Sequence, residues 1–343
     1  MMNVRWNSEL SRMFTMTNGV RQGAILSAVL YCVYTNELFE RLRRARYGCW
    51  VGSQFLGIYG YSDDNLLIAP SLFSLQKMLF ICQEYVNEHS LVFSTDHRPE
   101  KSKTKCMAFV KRDRELPKLW LCGNQLPWVS EINHLGSILT NKYDGMKCDI
   151  MAKRARFIGK SNEIMQEMDG YASDVTMFMN GIFNTSFYGC QMWDMQCAEF
   201  RKLENSWNTS TRLIYNVPRT CHRYLIETLG GRHLRTMIMS RFIRFIENVK
   251  ESKKANILRE TMYDVRSVTG ANLEYIRSLL NLRTVDEICV NDVKRLVFEK
   301  VPEDKAWVPA LVDELVQSRD GVCPVVGMTG EECQAILDMV TQE

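Results

Sequence analysis

Residues 58–70 read IYGYSDDNLLIAP and place two adjacent carboxylates, Asp63 and Asp64, between two apolar runs. The flanks, residues 54–61 and 65–69, are rich in bulky strand formers, so the pattern predicts a tight hairpin with both carboxylates at its tip. Ser and Asp are common at solvated turns, and a structural turn alone would explain them. Two neighbouring carboxylates on a rigid turn also suit Mg²⁺, which binds one or two protein carboxylates together with water and phosphates.

The composition is that of ordinary globular material. The chain has 343 residues, 46% of them hydrophobic and 24% charged, which is enough for two or more domains. Its 12 cysteines form no C-x-x-C pair. This spacing predicts reduced thiols of the cytoplasm or nucleus, with neither a zinc knuckle nor a secreted disulfide framework. No run of about eighteen apolar residues occurs, so no membrane association is expected.

Charge is unevenly distributed, although the formal net charge is only +3. Residues 98–118 read RPEKSKTKCMAFVKRDRELPK and are basic, whereas the chain from Glu303 onward is acidic. An anionic partner is therefore expected to bind the first half of the chain.

The hydrophobic patterns mix helices and strands up to about residue 145, and helical patterns dominate after it. A long helix is predicted from Ala24, apolar nearly all round at its start and charged at its end. We therefore expect its first half to be buried and its second half to be exposed. A second helix should be capped by Ser71. Its apolar stripe is expected to face the core and consists of Leu75, Leu79, Cys82 and Val86. Short strands are predicted within residues 105–111, 116–128 and 132–140.

Four motifs follow one another along the first part of the chain. They are GVRQGAILSAVLY (19–31), YSDD (61–64), KSKTKCMAF (101–109) and HLGSIL (134–139). Each alone is weak, but in this order they resemble the reverse transcriptases of LINE-type, or non-LTR, retrotransposons. Two later segments, FYGCQMWD (187–194) and residues 203–230, look like the helical region that follows the polymerase core in those elements.

The resemblance implies an α+β fold: a partial right-hand polymerase palm, with an antiparallel sheet and helices, followed by a helical thumb. The palm would occupy residues 1–145, and the thumb and connection residues 146–250. A helical C-terminal region, acidic at its end, would occupy residues 251–343.

The resemblance also implies an activity, RNA-directed DNA synthesis by two-metal nucleotidyl transfer. Asp63 would be the direct ligand of Mg²⁺, with Asp64 beside it. Lys103 would lie near the leaving pyrophosphate, where a cation neutralises charge or supplies a proton. Lys105 competes for that role, and a solvated surface lysine is the alternative. The partners would be an RNA template, a DNA primer and deoxynucleoside triphosphates.

Other residues would contact these substrates. By the resemblance, Arg21, Gln22, Gly23 and Tyr61 contribute to nucleotide and template binding. Guanidinium and amide donors suit phosphates and base edges, and a glycine permits close approach of the backbone. Leu135 and Gly136 match the segment that positions the primer strand through its backbone, although an ordinary tight turn would also explain a Leu-Gly pair.

One departure from the family is large. The family uses a further metal-binding aspartate upstream of the GVRQG motif, whereas the residues before Asn18 contain a single acid, Glu9. We therefore expect an N-terminally truncated enzyme with little or no polymerase activity in these residues. The alternative is a non-catalytic protein that holds RNA or an RNA/DNA duplex by its phosphates. A host-protein interaction of the C-terminal helices is a third reading.

Overall fold

The computed structural model describes most of the chain, in two compact units, Met1–Val129 and Ser130–Glu343. The described residues are 3–15, 25–110, 115–142, 144, 146–167, 186–214, 233–252 and 255–296, with strand residues 322–323 and 328–329. Each unit has its own apolar core, and the fold is α+β as predicted. The division falls ahead of the boundary expected near residue 145, so the hairpin of residues 131–140 belongs to the second unit.

The described part of the first unit combines antiparallel hairpins with two long helices. The hairpins are β1 (Arg5–Trp6) with β2 (Glu9–Leu10), β3 (Trp50–Val51) with β4 (Gln54–Phe55), β5 (Ile58–Tyr61) with β6 (Asp64–Leu67), and β7 (Leu119–Leu121) with β8 (Asn124–Leu126). The helices are α1 (Ser27–Ala45) and α2 (Leu72–Glu88).

Helix α2 forms as its sequence predicts. The Ser71 hydroxyl accepts a hydrogen bond from the backbone N–H of Ser74 at 3.1 Å, which caps the helix. Leu79, Cys82 and Val86 of the predicted stripe are buried in the core, and Leu75 packs at its edge. The polar side of the helix is also used, because the Gln76 side chain makes two hydrogen bonds of 2.9 Å to the backbone of Trp120 in β7.

The expected burial of α1 is wrong. Its second half is the buried one, with Leu38 and Leu42 in the core, whereas Val29, Leu30 and Val33 in its first half are more than half exposed. The core of the first unit draws on the second half of α1, and the described residues leave the apolar start of the helix open to solvent. Apolar composition therefore did not indicate which part of the helix is covered.

Of the strand predicted at residues 105–111, the described residues 105–110 form only an isolated bridge, between Cys106 and Trp128. The Cys106 N–H donates to the carbonyl of Pro127, and its carbonyl accepts from Val129. Pro127 has no N–H to donate, so its strand cannot extend a full ladder. The other two predicted regions do form hairpins, β7 with β8 and the one that follows.

The second unit begins with a hairpin and continues as helices around an aromatic core. Its described elements are β9 (Glu131–His134) with β10 (Ser137–Thr140), α3 (Lys147–Glu167), α4 (Ala198–Ile214), α5 (Leu234–Glu251), α6 (Asn256–Thr261), α7 (Val268–Leu279) and α8 (Val290–Lys294). Phe157, Phe187, Trp193 and Trp207 lie at the centre of the core.

Farther along, a short ladder joins β11 (Val322–Cys323) to β12 (Met328–Thr329), where only helices had been expected. The helices of the thumb prediction are present in the described parts of residues 146–250. No helix in the described ranges has the length and apolar character needed to span a bilayer.

Candidate active site

The Asp-Asp hairpin is a two-residue turn between β5 and β6. Ile58 pairs with Leu67 and Tyr61 pairs with Asp64, so that Ser62 and Asp63 form the loop. Ser62 has φ of 55°, in the left-handed region, whereas Asp63 is not among the residues with positive φ. A positive φ at the first central position is the feature of a type II′ turn, where glycine is the usual residue.

The turn presents both carboxylates to solvent. Asp63 and Asp64 are exposed, and neither carboxylate forms an ion pair or hydrogen bond with another described residue. Carboxylate oxygens are the ligands that Mg²⁺ prefers, and this ion commonly uses one or two of them beside water and phosphate. The pair fits Mg²⁺ in donor type. No group of three or more His, Cys, Asp or Glu side chains in the described ranges could complete a protein-only metal site.

The base of the hairpin is anchored in the core of the first unit. Ile58 is buried, and Leu67 packs against the same core. Above them, β5 approaches α1 so closely that a Cβ on Gly60 would lie 2.5 Å from Cζ of Phe39. Glycine is favoured here because a Cβ would require the ring of Phe39 or the hairpin to shift. The tip is thereby held in a defined position relative to α1.

Tyr31 of α1 is near enough to Asp63, at the hairpin tip, for the carboxylate charge to act on its phenol. Burial raises the pKa of the Tyr31 phenol, and the negative charge of Asp63 raises it further. Because Phe39 contacts Gly60 two helical turns later, the hairpin runs along α1 with its tip toward the start of the helix. Tyr61, a predicted substrate residue, is 67% exposed on β5 opposite Asp64.

The predicted leaving-group lysine lies on an irregular segment of the same unit. Lys103 is exposed, and its neighbour Ser102 is buried. On the other side, the backbone N–H of Thr104 donates to the Ser94 carbonyl at 3.1 Å. Lys105 is exposed as well. Both ammonium groups are therefore accessible to an anion, and the assignment of Lys103 to the leaving pyrophosphate stays a prediction.

Leu135 and Gly136 form the turn between β9 and β10 in the second unit. Their φ angles are 49° and 77°, which is the conformation of a type I′ hairpin turn. The interpretation as a tight turn is thus confirmed, and the role in primer positioning stays a prediction. The predicted substrate residues Arg21, Gln22 and Gly23 lie outside the described residues.

Two structural contacts were not predicted from the sequence. One is the pair of Gly60 and Phe39 that fixes the hairpin to α1. The other is a buried ion pair, Asp149 with Lys153, in the second unit. The IYGY run before the carboxylates signalled a glycine in a strand, which marks a bulge or a close backbone approach. Asp149 and Lys153 carried no signal, because acid and base four residues apart also occur on any exposed helix face.

Comparison with known proteins agrees with the motif order. Residues 1–139 match the sequence model of a family described as "Reverse transcriptase (RNA-dependent DNA polymerase)". A protein of Drosophila melanogaster named "Probable RNA-directed DNA polymerase from transposon X-element" is 19% identical over 216 residues. That match covers 62% of this chain and 23% of the fly protein, so the chain spans about a quarter of the relative's length. The expected resemblance to non-LTR retrotransposon reverse transcriptases is confirmed.

Proposed function

We propose that this chain forms the catalytic hairpin and thumb of an RNA-directed DNA polymerase, because its first 139 residues match the reverse transcriptase family and a distant relative is named as a transposon RNA-directed DNA polymerase. The observation that carries the proposal is the β5–β6 hairpin: two exposed adjacent carboxylates on a tight turn, held against α1 by the contact of Gly60 with Phe39.

The carboxylates of Asp63 and Asp64 would hold Mg²⁺, with Asp63 as the direct ligand. When bound, the metal ions supply electrostatic stabilisation of the attacking and leaving oxygens during in-line transfer of a nucleotide. Lys103 would neutralise charge on the leaving pyrophosphate. Tyr61, on the strand opposite Asp64, would contact the substrate beside the metal.

The remaining substrate contacts are proposed on the resemblance alone. Arg21, Gln22 and Gly23 would meet the nucleotide and the RNA template. The backbone of Leu135 and Gly136 would position the DNA primer. The basic residues 98–118 would attract the phosphates of an RNA/DNA duplex, and that attraction weakens steeply with salt.

The metal site would be completed by a further carboxylate, which the family resemblance places upstream of the GVRQG motif. The 343 residues alone are therefore proposed to bind a primer–template duplex but to extend the primer little or not at all. Loss of outer-shell support at a metal site costs roughly 10- to 100-fold, and loss of a ligand costs more.

The test uses the protein and its Asp63→Asn variant with a fluorescent DNA primer annealed to an RNA template. We expect saturable duplex binding by both proteins, with a dissociation constant that rises steeply with salt. Extension with Mg²⁺ and deoxynucleoside triphosphates should be at or near background. Absence of duplex binding at low salt would overturn the proposal. Extension that persists in the Asp63→Asn variant would overturn the assignment of the metal ligand.

A further inference from the structure

A buried carboxylate ties the β9–β10 hairpin to the helical part of the second unit. One oxygen of Asp149, in the first turn of α3, accepts the backbone N–H of Ile138 in β10 at 2.9 Å. The other accepts the indole N–H of Trp193 at 2.7 Å and the ammonium of Lys153 at 2.9 Å. The side chains of Asp149 and Lys153 are only 1% and 3% exposed. Three separate chain segments therefore meet at one charged group.

Lys153 extends this network to the segment before Trp193. Its ammonium donates to the carbonyl of Tyr188 and lies 3.5 Å from the hydroxyl of Ser137 in β10. The backbone of Tyr188 is thus fixed relative to the same strand that Asp149 holds. Because the Lys153 ammonium is buried, it is not available to bind a phosphate itself.

The backbone carbonyl of Tyr188 is bound by a buried group, whereas its side chain is exposed to solvent. It belongs to a residue that is 61% exposed, and its Cδ1 lies 3.8 Å from the place where a Cβ of Gly136 would be. Leu135 of the same turn is also exposed. An aromatic ring, a partly exposed leucine and an open glycine turn therefore form one continuous surface, which we call the turn–tyrosine surface (Leu135, Gly136 and Tyr188).

Packing alone does not require an ion pair at this place. Replacing a buried ion pair with well-packed apolar side chains is often neutral or stabilising, so such a pair is weak evidence for stability. The pair instead orients its neighbours, because its hydrogen bonds hold β10, the indole of Trp193 and the backbone of Tyr188 at defined distances from one another.

We propose that the buried Asp149–Lys153 pair positions the turn–tyrosine surface as a nucleic-acid contact, in which the ring of Tyr188 stacks on a base or sugar of the strand that the Leu135–Gly136 turn holds. The proposal rests on the function proposed above. Every base has a face on which an aromatic ring can stack, so the contact would be tolerant of sequence. Asp149 and Lys153 are positioning residues, since they act through the turn and through Tyr188.

The first experiment measures binding of a fluorescein-labelled RNA/DNA duplex by anisotropy at fixed salt. Tyr188→Ala should weaken binding roughly 5- to 100-fold, the range typical of losing one stacking contact, and Tyr188→Phe should stay within about 2-fold because the ring remains. The matched control is Tyr263→Ala, which removes another exposed tyrosine of the same unit and should leave binding unchanged. Equal binding by the protein and Tyr188→Ala would overturn the contact.

The second experiment tests positioning against a general loss of stability. Asp149→Asn is compared with Glu204→Gln, since Glu204 forms a second, largely buried ion pair of the same unit, with Arg235. Both variants should melt at lower temperature. At a temperature where circular dichroism shows both folded, only Asp149→Asn should weaken duplex binding. Adding Tyr188→Ala to Asp149→Asn should then cost less than Tyr188→Ala alone, because both changes remove the same contact.

A milder variant keeps the test decisive if Asp149→Asn does not fold. Trp193→Phe removes one of the hydrogen bonds to Asp149 and retains an aromatic ring in the core, and it should weaken binding in the same direction. Equal effects of the Asp149 and Glu204 variants on binding would overturn the positioning role. If the unmodified protein binds no duplex, the proposed function fails; if it binds and all these variants match it, only this inference fails.

Discussion

Gly60 gives the sharpest test of how the hairpin is held. A Cβ at this position would lie 2.5 Å from Cζ of Phe39 and 3.2 Å from Oδ1 of Asn65. Real Cβ atoms essentially never approach another heavy atom within 3.0 Å, so Gly60→Ala must move the ring or the hairpin by about half an ångström. The hairpin carries Asp63, and its tip would move with it.

The expected size of the effect follows from two opposing contributions. Overpacking of one methyl group typically costs about 1–3 kcal/mol. Alanine in a strand regains about 0.5–1 kcal/mol relative to glycine, because it loses less backbone entropy on folding. We therefore expect Gly60→Ala to lower the free energy of unfolding by about 1 kcal/mol, within a range of about 0–2.5 kcal/mol, measured by urea denaturation.

Two companion variants decide whether the clash is the cause. Phe39→Leu shortens the side chain that the new methyl group meets, so the double variant should be less destabilised than the sum of the single changes, by about 0.5 kcal/mol or more. Gly159→Ala is the matched control: nothing lies near its Cβ position on an exposed part of α3, and it should stabilise by about 0.5–1 kcal/mol. A Gly60→Ala variant as stable as the parent, with additive effects in the cycle, would refute the reasoning.

Three further outcomes are expected. Ser62→Gly should raise the free energy of unfolding by about 0.5–1 kcal/mol in urea denaturation, since relief of a left-handed φ exceeds the added entropy of glycine; a loss of stability would contradict the turn geometry. Gln76→Ala should lower it by about 1–2 kcal/mol, because two hydrogen bonds to the backbone of β7 disappear, whereas an unchanged urea midpoint would show that water replaces them freely. Burial raises the pKa of the Cys82 and Cys106 thiols to about 12 and about 11, so at pH 8 a maleimide should label the exposed thiols of Cys32 and Cys148 before these two, as read by peptide mass mapping; rapid labelling of the buried thiols in the folded protein would be the contrary result.

Local chemistry made parts of this fold predictable. Ser71 before an apolar stripe predicts the start of α2, and the flanks of Asp63 and Asp64 predict a hairpin, because capping and turn formation involve neighbouring residues only. The order of the four motifs predicted the resemblance to reverse transcriptases for the same reason, since it is a property of the chain and not of its packing.

The burial of α1 and the network of Asp149 depend instead on contacts between distant residues. Which half of α1 is buried is decided by the elements that cover it, and composition does not reveal them. Trp193 donates to Asp149 across 44 residues, and no local pattern marks that pairing. The split of residues 54–61 into β4 and β5 likewise follows from pairing with different partners, β3 and β6.

Binding of a divalent metal at the tip of the Asp-Asp hairpin is the central requirement of the proposed function. It is tested most directly by NMR of the isotope-labelled protein during titration with Mn²⁺, which broadens amide signals near its binding site. We predict that broadening begins at residues 61–65, disappears in Asp63→Asn and persists in Asp96→Asn, which removes a partly exposed carboxylate of the same unit that is paired with Arg98. Broadening that spares the hairpin, or that is the same with Asp63→Asn, would show that this requirement is not met.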